Sequence, residues 1–411
     1  MLISSSRYRG YQAGASAALG LLLLGATGAP AHAESTRAQQ WFLDAMRADQ
    51  MWRTSTGKGV NVAVIDTGVD PSNPDLKGRI LPGKDYAEGQ PGDEHTDYEG
   101  HGTGMAGLIA GTGAYGGGNG AFGLAPGAKI LPIRLPKAAT AANQAEGIKQ
   151  FNEATSKAIR YAADAGARVI NVSQGVSEGS PQLTAAVKYA LGKGSLVFAA
   201  VGNSGDKENE IKYPAATPGV VGVGAVGKDL RKTAESEFGP QVDMAAPGED
   251  MVEACGTETG LCKSHGTSDA TALASASAAL IWSKHPTWTN NQVLRVMLNT
   301  IGGPTDGAKR NDSIGYGIVR PRIALQNPGN PGPAHAYPLP DFPATASTSP
   351  SPGAAASEEP SAPAKDGMAA AEASSKGNDR SILWIALGVG AVILGGAVTA
   401  AVIGKRRRSI A

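Results

Sequence analysis

The run 62–70, with the sequence VAVIDTGVD, carries a series of apolar residues into a single carboxylate, Asp66. A short apolar run rich in β-branched residues predicts a buried strand, so Asp66 is expected where that strand ends. Three later motifs supply further polar side chains: His101 in HGTGMAG, Asn203 in AVGNSG and Ser268 in HGTSDA. Taken in this order, the four residues match a carboxylate that orients a base, the base, an oxyanion donor and a serine nucleophile.

The local patterns predict that these four side chains meet at one edge of a sheet. Asp66 and Asn203 each follow an apolar run typical of a strand, whereas His101 and Ser268 each open an Ala- and Gly-rich stretch typical of a helix. In open α/β sheets, functional groups gather beyond the carboxyl ends of the strands, where the following helices begin. We therefore expect a single cleft that contains all four groups.

The remaining pattern predicts an α/β fold with a mostly parallel sheet and helices on both faces, because helical and strand-like segments alternate along the chain. The helix that begins at Ser268 lacks charge between Asp269 and Lys284, so we expect it to be buried. The motif Thr289-x-x-Gln292 predicts a capping box at the start of another helix. The predicted strands are 60–65, 168–172 and 196–201, and the other predicted helices are 144–165 and 181–193.

The four residues fit the chemistry of acyl transfer. A serine hydroxyl is a weak nucleophile until a base takes its proton, and a neutral His101 would be that base. Asp66 would hold the other ring nitrogen of His101 in the donor tautomer. The side-chain amide of Asn203 and the backbone N–H of Ser268 would stabilise the charge that develops on the carbonyl oxygen.

In residue order and motifs, the segment from about Ser55 to Leu325 resembles the subtilisin-type serine proteases. The resemblance implies the subtilisin-like fold and peptide-bond hydrolysis through Asp66, His101 and Ser268, with Asn203 in the oxyanion hole and no cofactor. It also implies that the segment NVSQG is the strand that binds the substrate backbone by β-addition. In that segment the resemblance assigns substrate binding to Ser173, Gln174 and Gly175, and Gly175 would leave room for a side chain in the specificity pocket.

The run QWFLDAMR at 40–47, the short N-terminal extension and a tethered C-terminal helix make the chain similar to the mycosins. These are membrane-anchored subtilisin-like proteases associated with type VII secretion. The resemblance implies association with a secretion complex in the membrane.

Several residues near the motifs admit other roles. Asp269 and Ala272 stand where Met and Pro usually follow the nucleophile of the family, and we expect the Asp269 carboxylate to point away from the cleft. His265 is expected to be a solvated loop residue. Asp70 and Asp75 are interpreted as turn and capping residues.

Two further patterns suggest ligand sites that we do not adopt. The run Asp93–Glu99 is rich in acidic groups, but its spacing matches no metal-binding loop. A solvated rim that prefers basic substrate residues is the alternative interpretation, and we predict no metal. The pattern Gly111-x-Gly113-x-x-Gly116 resembles a dinucleotide fingerprint. It follows a predicted helix instead of a strand and is not followed by a helix, so we predict a loop.

Both ends of the chain carry targeting signals. Arg7 and Arg9 precede an apolar run that ends before Ala31-His-Ala33, as in a secretory signal peptide. The uncharged residues 382–403 would span roughly 33 Å as a helix, enough to cross a bilayer. Four basic residues follow at 405–408, which places the C-terminus in the cytoplasm and the catalytic part outside.

These signals give the predicted domain organisation: signal peptide 1–33, N-terminal extension 34–54, peptidase domain 55–326, Pro-, Ala- and Ser-rich linker 327–381, transmembrane helix 382–403 and basic tail 404–411. The chain carries 37 basic and 36 acidic residues, and six of the basic ones lie in the two end segments. The mildly acidic body, with few aromatic residues, argues against nucleic acid as a partner.

The two cysteines of the chain, Cys255 and Cys262, are the first and last residues of an eight-residue segment. In an exported protein such a pair indicates a disulfide rather than a catalytic or metal site. We predict a bridge that stiffens the segment leading to Ser268.

The sequence therefore predicts a membrane-anchored extracytoplasmic serine endopeptidase that acts on proteins or peptides. The alternative is a structural subunit of a secretion complex in which proteolysis is weak or incidental. A carbohydrate-binding module has no motif to support it.

Overall fold

The computed structural model describes residues 35–137, 140–255 and 260–341. The predicted signal peptide, transmembrane helix and basic tail lie outside these residues. The described strands are β1 Asn61–Asp66, β2 Lys84–Asp85, β3 Lys129–Arg134, β4 Val169–Val172, β5 Leu196–Ala200, β6 Val221–Val226, β7 Met244–Pro247, β8 Met251–Ala254 and β9 Leu261–Ser264.

Seven of these strands form one sheet in the order β2-β3-β1-β4-β5-β6-β7. Every neighbouring pair in it is parallel. The central strands β1, β4 and β5 are almost entirely apolar because both of their faces are covered. Strands β8 and β9 pair separately as an antiparallel hairpin. The predicted parallel α/β architecture is confirmed.

The described helices are α1 Thr36–Gln39, α2 Trp41–Ala45, α3 Ala48–Trp52, α4 His101–Ala110, α5 Tyr115–Gly118, α6 Gln144–Asp164, α7 Pro181–Gly192, α8 Thr267–Lys284, α9 Asn290–Asn299 and α10 Pro321–Gln326. The helices α6 and α7 pack on one face of the sheet, whereas α4 and α8 pack on the other. Helix α8 is buried from Asp269 to Trp282, as its lack of charge predicted. Thr289 and Gln292 form the predicted capping box of α9.

The N-terminal extension is part of the domain core. Phe42 and Leu43 of α2 are fully buried in the same apolar cluster as α4 and α8. The side chain of Gln40, also fully buried, donates to the carbonyl oxygens of Phe122 and Val252. The extension therefore packs on the peptidase fold and bonds to it.

The packed domain also continues past residue 326, where the sequence predicted a linker. The guanidinium of Arg295 donates to the carbonyl oxygens of Pro331, Pro333 and Ala336. Leu339 is 2 % exposed, and the phenol of Tyr337 donates to the Gly219 carbonyl at 2.8 Å. A proline-rich composition predicts that a segment cannot form its own core, but here a neighbouring surface holds the segment in place. The first part of the predicted linker, up to residue 341, is thus attached to the domain.

Within the three described ranges, no helix has both the length and the apolar character needed to cross a membrane.

Candidate active site

Asp66 and His101 meet at the carboxyl edge of the sheet. Asp66 is the last residue of β1 and is fully buried, and His101 is the first residue of α4. The Nδ1 atom of His101 lies 2.7 Å from Asp66 Oδ1, and about a third of the His101 side chain (34 %) is exposed. This contact leaves Nε2 as the second nitrogen of the ring, available for a reacting group.

The Asp66 carboxylate is also fixed from two other directions. Its Oδ1 atom accepts the backbone N–H of Thr67 at 2.8 Å and the side-chain amide of Gln174 at 3.3 Å.

Burial alone would lower the pKa of His101, but the charge and hydrogen bond of Asp66 raise it above its ordinary value, with Glu253 and Asp269 adding to the effect. The site therefore favours the imidazolium form that appears when His101 takes a proton.

Asp97 braces the start of α4, a role that sequence reasoning missed. Its carboxylate accepts the hydroxyl of Thr67 at 2.6 Å, the N–H of Gly100 at 2.8 Å, and both the N–H and the hydroxyl of Thr103 at 2.8 and 2.6 Å. The N-cap position of α4 is Gly100, which has no side chain to cap the helix. Asp97 therefore supplies the missing cap and fixes the backbone on both sides of His101.

This finding corrects the interpretation of the run 93–99 as a solvated rim, at least for Asp97. The ligand atoms of Asp93, Glu94 and His95 do lie within 4.8 Å of one another. However, Asp93 Oδ1 already accepts the N–H of His95 at 3.0 Å and the hydroxyl of Thr96 at 3.2 Å. These bonds are those of a local turn.

The interpretation as turn and capping residues holds for Asp70 but not for Asp75. Asp70 accepts the N–H of Ser72 at 2.8 Å, as a turn residue does. Asp75 is fully buried, and its two oxygens accept the N–H groups of Tyr115 and Ala121, each at 2.7 Å. It therefore anchors a segment distant in sequence instead of capping its own turn. That segment contains the glycines at 111, 113 and 116, and the last of these lies in the short helix α5 and has a positive φ.

Ser268 lies in the first turn of α8, directly beyond the carboxyl end of β4. Its hydroxyl donates to the carbonyl oxygen of Ser173 at 3.0 Å, and the hydroxyl of Ser173 donates to the Ser268 carbonyl at 3.3 Å. Ser173 in turn accepts a hydrogen bond from Asn171 at 2.9 Å. The hydrogen bonds of the described residues do not include one between Ser268 and His101, so the hydroxyl is held toward Ser173.

The side chain of Asn203 is fixed through its oxygen to Thr267, the first residue of α8. The Oδ1 atom of Asn203 accepts both the N–H and the hydroxyl of Thr267 at 2.9 Å, which assigns the oxygen to that side. Gly266 has φ +131°, and a Cβ atom there would lie 2.8 Å from Asn203 Nδ2. The glycine thus allows the amide to approach the turn.

The three residues assigned to substrate binding follow β4 in order. Ser173 is buried, whereas Gly175 is exposed, and neither belongs to a strand in the described structure. A Cβ atom on Gly175 would lie 3.0 Å from the carbonyl oxygen of Tyr213 and 3.3 Å from Cβ of Lys212. The side of Gly175 where a side chain would stand is therefore occupied by residues 212–213.

The residue after the nucleophile, Asp269, is 1 % exposed. Its carboxylate accepts the hydroxyl of Ser264 at 3.0 Å and contacts the carboxyl group of Glu253, which is 6 % exposed. The charge of Asp269 is therefore directed into the protein beneath the cleft. His265 is a solvent-exposed residue, as expected, and its Nδ1 lies 2.7 Å from Glu235.

Cys255 and Cys262 form the predicted disulfide, with an S–S distance of 2.12 Å. Cys262 belongs to β9, which ends four residues before Ser268. The bridge ties the hairpin of β8 and β9 together across residues 256–259, which lie outside the described part of the chain.

The chain matches known proteins over this whole region. Residues 57–317 match the model of the subtilase family, peptidase S8. An intracellular serine protease of Paenibacillus polymyxa is 36 % identical over 215 residues, which cover 51 % of this chain and 63 % of that protein. The chain thus spans less than two thirds of the length of that relative.

Two solved structures are also similar. The MycP3 protease from the type VII (ESX-3) secretion system is 34 % identical, with a TM-score of 0.60, and the match covers 73 % of this chain and 90 % of that one. A chain in the periplasmic assembly from the ESX-5 inner membrane complex is 26 % identical, with a TM-score of 0.63 and coverage of 81 % and 92 %. Because the family model matches more than half of its residues, the chain belongs to the subtilase family, and it is subtilisin-like of the mycosin type.

Proposed function

We propose that this protein is a serine endopeptidase that hydrolyses peptide bonds through an acyl-enzyme on Ser268, and that it works outside the cytoplasm as a membrane-anchored part of a type VII secretion system. The observation that carries the proposal is the 2.7 Å contact between buried Asp66 and His101 at the same sheet edge as Ser268. Membership in the subtilase family supports the reaction class.

In the proposed reaction, the Ser268 hydroxyl leaves the Ser173 carbonyl by rotating about its Cα–Cβ bond and donates to Nε2 of His101. His101 takes the proton as Ser268 Oγ attacks the substrate carbonyl carbon, and later gives it to the leaving amine. Asp66 stabilises the imidazolium through Nδ1. The charge on the substrate oxygen is stabilised by the Asn203 amide, whose orientation Thr267 fixes. Water then hydrolyses the acyl-enzyme with His101 as the base.

The substrate backbone would lie along residues 173–175. These residues continue the line of β4 beyond its last sheet partner, so their N–H and C=O groups suit the addition of a peptide strand. The Ser173 carbonyl, freed when Ser268 turns toward His101, is one such group. We infer that substrate binding and release of the Ser268 hydroxyl are coupled at this carbonyl.

The proposed location rests on the two ends of the chain. The basic and apolar segment before Ala33 and the uncharged segment 382–403 would export the domain and anchor it. The similarity to MycP3 and to a chain of the ESX-5 periplasmic assembly supports a place in a secretion complex. That second similarity also favours the alternative, a structural subunit in which cleavage is incidental.

Labelling with a fluorophosphonate tests the activity. The full-length wild type and Ser283→Ala, a control on the same helix α8, should be labelled, whereas Ser268→Ala should not. Absence of labelling in the wild type would contradict the proposed reaction and favour the structural subunit.

A secretion assay with Ser268→Ala separates the two roles in the cell. Loss of secreted proteins in this variant, with its own abundance unchanged, would support a catalytic role in secretion. If the wild type is labelled and the Ser268→Ala variant is not, yet cells with that variant secrete normally, the catalytic role in secretion is contradicted.

A further inference from the structure

Two acidic side chains meet beneath the cleft without enough donors to satisfy them. Glu253 of β8 and Asp269 of α8 are 6 % and 1 % exposed, and their carboxyl groups are in hydrogen-bonding contact. Asp269 Oδ1 accepts the hydroxyl of Ser264 at 3.0 Å. The second oxygens, Glu253 Oε2 and Asp269 Oδ2, are both buried without a donor among the described residues.

Two ionised carboxylates cannot hydrogen-bond to each other, because neither has a proton to donate. A buried pair of like charges is also unfavourable, so one member holds a proton at a pH where an isolated acid is ionised. Burial, followed by the charge of Asp269, raises the pKa of Glu253 well above its ordinary range. Burial also raises the pKa of Asp269 to about 6. A single proton between the two groups would satisfy both unpaired oxygens.

The pair lies against the helix that carries His101. Gly104 is one turn after His101 in α4, and a Cβ atom there would lie 2.3 Å from Glu253 Oε1. The titratable groups that face the pair are His101 from α4 and His265 from the loop before α8. His265 is exposed and paired with Glu235, while Asp66 lies on the Nδ1 side of His101. The charge of the pair therefore acts mainly on His101.

We propose that Glu253 and Asp269 share one proton and act as a single positioning unit, whose one negative charge stabilises the imidazolium form of His101. Both are positioning residues, since they act through His101. The inference rests on the proposed function only in taking His101 as the general base.

Amide substitutions test the sharing because an amide N–H can replace the shared proton. In Glu253→Gln or Asp269→Asn, the new NH₂ group donates to the remaining carboxylate, so the pair keeps its single charge. In the double variant the charge is lost. A shared proton therefore predicts that either single amide variant leaves the proton affinity of His101 nearly unchanged. The double variant should lower it.

The measurement is the pH dependence of the rate at which a fluorophosphonate labels Ser268 in the full chain. The rate rises with pH as His101 loses its proton. Both single variants should keep the wild-type midpoint. So should the control Glu235→Gln, which replaces a half-buried acid paired with His265. The double variant should lower the midpoint by about one to two pH units, because a unit charge about 6–10 Å away changes the pKa by about that much at an effective dielectric constant of about 20.

Three results would overturn the inference. Equal, additive shifts in the two single variants would show two separate charges. A shift in Asp269→Asn alone would place the proton on Glu253. An unchanged midpoint in the double variant would show that the pair does not act on His101.

Infrared difference spectra give a readout that needs neither activity nor the double variant. Both single variants should lose the same protonated-carboxyl band near neutral pH, and a band that survives in Asp269→Asn would contradict sharing. If the wild type is not labelled at all, the proposed function fails, while these spectra still decide whether the proton is shared.

Discussion

The two sides of the cleft are stabilised in different ways. On the acid–base side, Asp66 and Asp97 accept short hydrogen bonds from backbone and side-chain donors of α4 and of Thr67, the residue after β1. On the nucleophile side, Asp269 accepts one hydroxyl, and its other neighbour is a second acid, Glu253. The first side is therefore fixed by donors that are always present, whereas the second depends on a proton. Substitutions on the first side should change catalysis or stability, whereas loss of the negative charge on the second side should change the pH dependence.

The largest effect is expected where the acid–base side meets the reaction. Asp66→Asn keeps an oxygen for the N–H of Thr67 but can no longer hold His101 in the donor tautomer. We expect kcat to fall by about 10⁴-fold, as in other triads, with an unchanged melting temperature.

Steady-state cleavage of a peptide substrate measures this loss, and Asp70→Asn is the matched control in the turn after β1. A loss below about tenfold would mean that His101 does not need Asp66, since a general base alone contributes more than that.

A smaller effect is expected from the brace beneath His101. Asp97→Ala removes the acceptor for five hydrogen bonds and leaves buried donors unpaired. We expect it to lower the free energy of unfolding by about 3 kcal/mol and to reduce kcat, because the first turn of α4 loses its cap. Urea denaturation and peptide cleavage measure the two effects.

Glu99→Ala replaces an exposed acid two positions later. It should change neither the free energy of unfolding nor kcat. If the two variants behaved alike, the interpretation of this run as a solvated rim would hold for Asp97 as well.

Sequence patterns were sufficient for those parts of the molecule that local chemistry determines. The apolar runs before Asp66 and Asn203 predicted β1 and β5, because strands buried on both faces leave a nearly continuous apolar signature. The disulfide followed from an exported chain with two cysteines. The contact between Asp66 and His101 followed from motifs that lie at adjoining ends of elements.

Other parts depend on contacts between distant segments, for which the sequence holds no local signal. Asp97 looked like one of several solvated acids, and only its hydrogen bonds with Thr67 and Thr103 show its role. Glu253 carried no motif, because its partner in the fold lies on another element. The segment after residue 326 had the composition of a tether, yet donors on α9 fix it to the domain. A signal that could have revealed Asp97 is the glycine at the N-cap of α4, which requires a cap from elsewhere.

The smallest effect is expected where the two sides touch, at Gly104. An alanine there would bring its Cβ atom within 2.3 Å of Glu253 Oε1, so Gly104→Ala should cost about 1–3 kcal/mol of stability by overpacking. Gly192→Ala, in a helix with open space around the new methyl group, is the control and should be neutral or slightly stabilising.

A double-mutant cycle sharpens this last prediction. Shortening Glu253 to alanine removes the atoms that the new methyl group would meet, so the two substitutions together should cost less than the sum of their separate costs. Additive costs would mean that Gly104 is required for another reason. If Gly104→Ala were as harmless as Gly192→Ala, the Glu253 carboxyl group could move away from α4 at little cost. The nucleophile side would then be too loosely packed to hold a charge at a fixed position beneath His101. The two sides of the cleft would differ in how rigidly their acidic groups are held, and not in whether they depend on a proton.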